Sequence, residues 1–343
     1  MVGGSPKGRG VVAAASYEAR RFGVHSAMPM RSAVRRCPQG IIVRPRFSRY
    51  KELSGVVMEV FREVTGLVEP LSLDEAYLDI TSRVGSGTPP LAVALDLKRR
   101  VNEVTGLTLS VGVGTNKSVA KIASDLNKPD GLVVVQPGEE ADFLAPLAVG
   151  KLWGIGPKTV ERLRQEGVDT IGQLAAQPMD WFDRCFGVRA AGVQAKARGD
   201  DREPVHTGRE TKSVSAETTF ASDLGDPELL RAELARLASN VSQHLERKGL
   251  QGRTVTMKAR LANFTTFTRQ VTLPAPTSSE QTILDTSWLL LSQELQPGRT
   301  FRLLGAGVSS FQEEYQLQLP LLEGETGPGN GEPELAEEGP LPG

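Results

Sequence analysis

The sequence predicts an α+β protein built from several domains. Its 343 residues are too many for a single hydrophobic core, so roughly two to four compact units are expected. In the N-terminal half, helical and strand periodicities follow one another as helix, strand, strand, helix, strand, helix, strand. A ferredoxin-like order of strands and helices recurs in the C-terminal part, which predicts a second and smaller α+β unit.

The elements of the first unit are predicted from the spacing of apolar residues. Leucine and valine recur at helical spacing from Leu53 to Leu67, and strands follow after Pro70. Asn116 is suited to cap a helix that runs through Asp125. The remaining predicted elements are a helix over residues 91–104, a strand over 107–113 and a strand over 132–135. A split βαβ arrangement would need one more strand in front of this series.

The second unit is predicted to follow a linker. Residues 200–211 are charged and lack an apolar period, as is typical of an interdomain linker. The elements predicted after it are strand 214–220, helix 228–248, strands 254–261 and 264–273, helix 279–295 and strand 301–311. In the strand over 254–261, apolar side chains alternate with threonines, Lys258 and Arg260. This polar face is either a surface for DNA phosphates or a merely solvated sheet face.

Composition restricts the class of protein. The formal net charge is -1, but six glutamates between residues 323 and 338 lie in a Gly- and Pro-rich end without Lys or Arg, so the rest of the chain is mildly basic. Cys37 and Cys185 stand alone, which argues for a reducing cytoplasm and against a disulfide framework. No apolar run approaches membrane-spanning length, and no cleavable signal precedes the first motif. We therefore expect a soluble, cytoplasmic monomer.

Asp74 and Glu75 interrupt an apolar strand pattern that runs from Leu71 to Ile80. Side chains alternate between the two faces of a strand, so adjacent carboxylates can serve one site only where the backbone turns or bulges between them. A tight hairpin tip would meet this requirement. Such a tip could hold hard divalent cations through oxygen ligands and leave open positions for substrate phosphates. The alternative is a polar turn between two strands.

Five sequence blocks, taken in their order and spacing, carry a family resemblance. They are residues 16–29, the hairpin at 71–80, and residues 121–131, 152–159 and 212–220. Together they resemble the Y-family translesion DNA polymerases, closest to the DNA polymerase IV class, over about residues 2–312. The resemblance implies a multi-domain right-hand polymerase that copies DNA past damaged template bases without proofreading. A nucleotidyl cyclase would share the paired carboxylates, but the second unit and the block at residues 152–159, which resembles the DNA-gripping hairpin of the polymerase thumb, disfavour it.

The resemblance also implies the division of the chain. We expect small fingers at residues 1–47, a ferredoxin-like palm at 48–137, a helical thumb with a helix-hairpin-helix motif at 138–202, a linker at 203–212, a ferredoxin-like little finger at 213–312 and a flexible tail at 313–343. In the family, a first palm strand carries a further aspartate and is followed by an aromatic residue that excludes a ribose 2′-hydroxyl. Neither precedes Tyr17, so we expect a palm without its first strand, as in an N-terminally truncated polymerase of poor activity. The alternative is a non-catalytic protein that binds DNA and the sliding clamp.

By the same resemblance, Asp74 and Glu75 are catalytic residues that bind two Mg²⁺ ions. Glu75 would in addition support the attack of the primer 3′-hydroxyl. Tyr17, Arg20 and Lys128 would hold the triphosphate of the incoming deoxynucleoside triphosphate, as charge-assisted donors should. The implied partners are primer–template DNA, deoxynucleoside triphosphates and a sliding clamp.

The predicted DNA contacts lie in the thumb and the little finger. Gly154 and Gly156 leave backbone N–H groups unencumbered at a helix start, which suits a DNA phosphate, although a tight glycine turn between helices is the alternative. A proline at the first helical turn and Lys158 after it favour the helix-hairpin-helix interpretation. In the little finger, Lys258 and Arg260 are the predicted phosphate contacts.

A short apolar peptide precedes the acidic end of the chain. Gln318, Leu319, Leu321 and Leu322 resemble the peptide by which bacterial polymerases bind the sliding clamp. A glutamine followed by spaced leucines can insert into an apolar groove. The alternative is an ordinary apolar end to the last strand.

Overall fold

The computed structural model describes residues 1–208 and 210–311, in two compact units with their boundary between Glu210 and Thr211. Both units combine helices with sheets, which confirms the α+β prediction. Among the described residues, no helix has the length and apolar character needed to cross a membrane.

The first unit begins with two short strands and two short helices. β1 (Val2–Gly3) pairs antiparallel with β2 (Val12–Ala14). α1 (Tyr17–Arg21) starts at Ser16, whose hydroxyl accepts a hydrogen bond from the N–H group of Ala19 and so satisfies one free donor of the helix end. α2 (Met30–Arg36) completes this part, and its buried Met30 belongs to the small core beneath it.

The middle of the first unit contains two separate two-stranded sheets flanked by helices. Its elements are α3 (Phe47–Val64), β3 (Val68–Pro70), β4 (Ala76–Leu78), α4 (Thr81–Gly85), α5 (Pro90–Thr105), β5 (Val111–Val113), α6 (Lys117–Leu126) and β6 (Leu132–Val134). β3 and β4 form an antiparallel hairpin, whereas β5 and β6 pair in parallel. In the described part of the chain no ladder joins β4 to β5, so these two sheets are separate.

Some predicted boundaries in this region are wrong. α3 ends at Val64, so Leu67 lies in the connection to β3. β3 contains the Glu69-Pro70 pair, whereas the prediction starts the strands after it. The strand predicted over 107–113 is only the three residues of β5. The predicted cap is confirmed, because the Asn116 side chain accepts a hydrogen bond of 3.0 Å from the N–H group of Val119.

The following segment is helical, as predicted. It contains α7 (Glu140–Leu144), α8 (Pro157–Gln165), α9 (Ile171–Ala175), α10 (Met179–Phe186) and α11 (Ala190–Ala197), with single 3-10 turns at Val149–Lys151 and Gly187–Arg189. Its core is continuous with that of the preceding segment, because Val119 and Ile122 of α6 belong to the same apolar cluster as Leu163 and Phe182. The position of α6 is therefore fixed by this helical segment as well as by β5.

Residues 199–206, which include the start of the predicted linker, belong to the first unit and pack against its other elements. The charged side chains that give this segment a linker-like composition are engaged at the start of α6. The contacts are Asn116 Nδ2 to Gly199 O at 2.8 Å, the Ser118 hydroxyl to the Asp201 carboxylate, Lys117 Nζ to Glu203 Oε1 at 3.1 Å, and the His206 N–H to Glu69 Oε2 at 2.9 Å.

The second unit is a four-stranded antiparallel sheet with two helices packed on it. Its elements are β7 (Ser213–Leu224), α12 (Pro227–Arg247), β8 (Gly252–Leu261), β9 (Thr266–Thr277), α13 (Glu280–Ser292) and β10 (Phe301–Phe311), and the strand order is β7-β10-β8-β9. Along the chain, these elements follow the predicted ferredoxin-like sequence of strand, helix, strand, strand, helix, strand. Val255, Met257 and Ala259 of β8 are completely buried, as the alternation predicts. Thr254 is also buried, against the prediction, because its hydroxyl bonds with those of Thr272 and Ser310.

Candidate active site

The β3–β4 hairpin presents Asp74 and Glu75 at a tight tip. The register pairs Pro70 with Ala76, and the N–H groups of Leu71 and Ser72 both donate to Glu75 O, at 2.9 and 3.3 Å. The Ser72 hydroxyl donates to Asp74 Oδ1 at 2.6 Å and accepts from the Asp74 N–H at 3.2 Å. The backbone therefore reverses between the two strands, as the adjacent carboxylates require, and both carboxylates line one cavity.

That cavity has a volume of about 420 Å³ and lies between β4 and β5. Its floor is apolar and is built by α3 and α5, with Phe61 and Leu97 among the lining residues. Its charged wall brings together Tyr17, Asp74, Glu75, Lys121 and Lys128, although these residues come from three distant parts of the sequence. Four of the five predicted residues for metal and nucleotide thus share one cavity.

Arg20 is the fifth predicted residue, and it does not line the cavity. Its Nε donates to the carbonyl oxygen of Ala15 at 3.1 Å, and its guanidinium carbon lies 5.8 Å from the centre of the Tyr17 ring. Tyr17 itself is 45% exposed. Arg20 therefore contacts one residue of the cavity, Tyr17, without lining the cavity itself.

Two lysines that line the cavity form ion pairs with Glu75 and Asp125. Lys121 Nζ lies 2.6 Å from Glu75 Oε1 and 3.7 Å from Asp125 Oδ2, and Lys128 Nζ lies 2.6 Å from Asp125 Oδ1. Burial alone would raise the pKa of Asp125, but the hydrogen bond from Lys128 and the charge of Lys121 hold it below its ordinary value. Burial would likewise lower the pKa of Lys128, and the hydrogen bond to Asp125 raises it instead. Lys128 is therefore a full cation at neutral pH.

Asp74 and Glu75 are suitable donors for a hard divalent cation. Both supply carboxylate oxygens, which Mg²⁺ prefers, and neither side chain is buried deeply enough to be closed to water or phosphate. Within residues 1–208 and 210–311, no group of three or more Asp, Glu, His or Cys side chains is arranged to hold a metal. The two carboxylates would thus provide only part of a coordination sphere, and substrate oxygens would provide more.

The predicted thumb residues lie at the start of α8. Gly154 has φ +92°, which a side chain would disfavour, and Gly156 is the N-cap of a helix whose first residue is Pro157. A Cβ atom on Gly156 would meet no atom within 4 Å, so the backbone here is open to an approaching phosphate. Trp153 beside them is 53% exposed, and Lys196 Nζ lies 4.9 Å from the centre of its ring.

In the second unit, Lys258 and Arg260 lie on one face of β8 and have partners on neighbouring strands. Lys258 Nζ is 2.6 Å from Glu217 Oε2 of β7, and Arg260 Nε donates to the Thr266 hydroxyl of β9 at 2.7 Å. The predicted clamp-binding residues Gln318, Leu319, Leu321 and Leu322 lie outside the described residues. That assignment stays a prediction.

Sequence reasoning gave Lys121 no role in the site, and it named Asp125 only as a candidate, with Asp79, should a further carboxylate be required. The only local signal is their spacing, because Lys121 and Asp125 are four residues apart on α6, with Lys128 three residues further on. Nothing in that spacing indicates the contact between Lys121 and Glu75, which are 46 residues apart.

Comparisons with known proteins agree with this architecture. Residues 1–125 match the impB/mucB/samB family, residues 137–168 match the IMS family HHH motif, and residues 211–321 match the impB/mucB/samB family C-terminal domain. DNA polymerase IV of Alkalilimnicola ehrlichii is 47% identical over 311 residues, which cover 91% of this chain and 87% of that protein. DNA polymerase IV of Methanoculleus marisnigri is 45% identical over 315 residues, with the same coverages.

Two solved structures share the fold. A Y-family DNA polymerase chimera of Dbh and Dpo4 is 25% identical, with a TM-score of 0.80 over 90% of this chain and 91% of that chain. An insertion ternary complex of Dbh DNA polymerase is 26% identical, with a TM-score of 0.59 over 88% of each chain. The fold and the family segments define the class as a nucleic-acid polymerase of right-hand architecture. At this identity and coverage, the chain belongs to the Y-family translesion DNA polymerases of the DNA polymerase IV class, and it is a DNA-directed DNA polymerase.

Proposed function

We propose that the chain extends a primer past damaged template bases by two-metal nucleotidyl transfer, without proofreading. The primer 3′-hydroxyl attacks the α-phosphate of a deoxynucleoside triphosphate, and pyrophosphate leaves. The observation that carries this proposal is that one cavity is lined both by a carboxylate pair on a hairpin tip and by Lys128 and Tyr17. Acidic and basic groups in the same cavity suit a ligand that brings both cations and phosphates.

Each side chain has a distinct role in this proposal. Asp74 and Glu75 hold the metal ions, and Glu75 is the one beside the primer end. Lys128, Tyr17 and Arg20 neutralise and orient the triphosphate, since Lys128 stays charged and Arg20 lies beside the Tyr17 ring. Two Mg²⁺ ions, when bound, would lower the pKa of the 3′-hydroxyl and neutralise charge on the phosphate oxygens.

Primer–template DNA would be bound largely through its phosphates, outside the cavity. The open backbone N–H groups at the start of α8, with Lys158 close by, suit a phosphate at a helix N-terminus. In the second unit, Lys258 and Arg260 provide positive charge on an exposed sheet face. Such contacts are independent of sequence, which suits a polymerase that accepts damaged templates.

The test is Mg²⁺-dependent primer extension with Glu75→Gln and Asp74→Asn. Each substitution keeps side-chain size but removes an anionic ligand, so we expect incorporation to fall at least a hundredfold, a cost of about 2.7 kcal/mol or more in activation free energy. Binding of primer–template DNA should change less than twofold, because phosphate contacts elsewhere dominate affinity.

Asp79→Asn is the matched control. Asp79 lies on the same hairpin, but its carboxylate accepts the Thr81 N–H at 2.9 Å and does not line the cavity. It should therefore retain parental incorporation. Parental rates from Glu75→Gln and Asp74→Asn would remove these residues from the mechanism.

A further inference from the structure

Four charged side chains alternate in sign beside the cavity, and three of them, Glu75, Lys121 and Lys128, line it. The order is Glu75, Lys121, Asp125, Lys128, and we refer to this set as the ion-pair chain. Its contacts are 2.6 Å from Glu75 to Lys121, 3.7 Å from Lys121 to Asp125 and 2.6 Å from Asp125 to Lys128. The two ends are the residues assigned above to the metal and to the triphosphate.

Lys121 is the least solvated member of the ion-pair chain. Its side chain is 16% exposed, whereas those of Glu75, Asp125 and Lys128 are 37 to 40% exposed. A half-buried ammonium group depends on its carboxylate partners more than an exposed one does, because water and salt screen it less. The interaction of Lys121 with a carboxylate therefore contributes more free energy than an ordinary surface ion pair does.

The middle of the ion-pair chain is asymmetric. Lys121 contacts Glu75 closely, while Asp125, its neighbour by one helical turn on α6, is occupied by Lys128. Since Lys121 and Asp125 are at positions i and i+4, Lys121 can exchange partners by a change of side-chain rotamer alone. The exchange becomes favourable when Asp125 loses Lys128.

We propose that Lys121 is a positioning residue that couples triphosphate binding to metal binding. A triphosphate draws Lys128 away from Asp125, Lys121 moves from Glu75 to Asp125, and the Glu75 carboxylate becomes free to bind a cation. This rests on the proposed function, because it takes Glu75 as a metal ligand and Lys128 as a triphosphate ligand. Without nucleotide, Lys121 competes with the cation for Glu75 and so keeps its affinity low.

The coupling is reciprocal, so a cation on Glu75 must favour the triphosphate by the same factor. We expect a factor of roughly three to ten, at the low end for coupled sites, because three of the four groups are partly exposed and therefore screened.

The experiment measures Mn²⁺ affinity by electron paramagnetic resonance on the whole chain, without DNA or nucleotide. Lys128→Met imitates the withdrawal of Lys128, so it should tighten Mn²⁺ binding about threefold or more. Lys128→Arg keeps a cation beside Asp125 and should bind Mn²⁺ as the parent does. Thermal unfolding of every variant establishes that it is folded.

A double-mutant cycle separates partner exchange from the simple loss of a positive charge. If Lys121 exchanges partners, Lys128→Met gives no gain in an Asp125→Asn background, where Lys121 has no second carboxylate. It also gives no gain in a Lys121→Met background, which should already bind Mn²⁺ more tightly. Charge removal alone predicts the same gain in all three backgrounds, and that result would overturn the proposal.

Glu75→Gln distinguishes this proposal from the function on which it rests. If Glu75→Gln weakens Mn²⁺ binding while the cycle is additive, only the exchange by Lys121 is wrong. If Glu75→Gln leaves Mn²⁺ binding unchanged, Glu75 is not a metal ligand, and both proposals fall.

Discussion

Gly112 sets the distance between β5 and α6, the helix that carries Lys121. A Cβ atom at Gly112 would overlap the carbonyl oxygen of Ala120 and the amide nitrogen of Ser124, both of which belong to the backbone of α6. Backbone atoms cannot give way as a side chain can. The side-chain hydrogen atom of glycine is therefore what allows α6 to lie against β5 and to place Lys121 beside Glu75.

We predict that Gly112→Ala lowers the free energy of unfolding by about 1 to 3 kcal/mol, because the added methyl group must push α6 away. Gly55→Ala is the matched control. Gly55 lies inside α3 and has no atom within 4 Å of its would-be Cβ, so alanine there should stabilise by up to about 1 kcal/mol. Urea unfolding checks both, and a Gly112→Ala protein as stable as the parent would contradict the close approach.

The contrast between Gly112 and Asp74 shows what sequence can predict at this scale. Asp74 and Glu75 stand out locally, because carboxylates inside an apolar strand pattern require a turn, and the structure has that turn. Gly112 stands in a Val-Gly-Val strand and gives no local sign of the helix packed on it. The role of such a residue depends on a contact made in three dimensions, which periodicity does not encode.

At the scale of elements, the first residues of α6 contact residues 199–206, the segment that follows the last helix of the first unit. Lys117 is 7% exposed and lies 3.0 Å from Glu69 Oε2 of β3. The same oxygen accepts the N–H of His206 at 2.9 Å. One carboxylate thus joins three stretches of chain that are far apart in sequence.

This arrangement predicts a specific acid sensitivity. Burial would raise the pKa of Glu69, but the hydrogen bonds from the His206 N–H and Lys117 hold it below its ordinary value of 4.5. Because the folded-state pKa is depressed, the stabilisation is present above about pH 4.5 and is lost as pH falls through the folded value. In Glu69→Gln, stability should therefore fall less steeply below pH 5 than in the parent.

Urea unfolding between pH 7 and pH 3 measures this difference. Glu103→Gln is the control, since Glu103 is an exposed partner of Arg99 on α5 and should leave the acid dependence nearly unchanged. Parallel acid profiles for Glu69→Gln and the parent would show that Glu69 does not join these segments.

The same segment shows why linkers are hard to recognise. Residues 200–211 lack an apolar period, which predicts an independent linker. In the structure, the first half of this segment is held by two carboxylates and one backbone N–H group, and polar contacts of that kind leave no periodic signal in the sequence. By contrast, α12 and β8 lie within two residues of their predicted bounds, because long amphipathic helices and alternating strands carry a strong signal.

Across the whole molecule, the two units differ in how completely their strands are paired. In the second unit, β8 and β10 have neighbours on both sides. In the first unit, β4 pairs only with β3 and β5 only with β6 among the described residues, and the cavity lies between their other edges. Edges of this kind leave alternate backbone groups without a strand partner.

The register identifies which groups these are. Across the β3–β4 hairpin, the N–H of Asp79 donates to Leu67 O and that of Leu71 donates to Glu75 O. N–H groups alternate in direction along an antiparallel strand, so the N–H of Leu78, next to Asp79, points away from β3 and toward the cavity. In β5, the N–H of Val111 donates to Gly131 O, so that of Gly112 points away from β6.

We predict that amide hydrogen exchange resolves this alternation. The N–H of Gly112 should exchange at least roughly tenfold faster than that of Val111, although the two are neighbours on one strand, because only Val111 donates to a paired strand. Met257 and Ala306, in strands paired on both sides, should show no such alternation with their neighbours. Comparing adjacent residues within one unit removes any difference in global stability between the units. Equal protection of Val111 and Gly112 would mean that the edge of β5 is covered, and the cavity beside Asp74 and Glu75 would then be narrower than its volume of about 420 Å³ indicates.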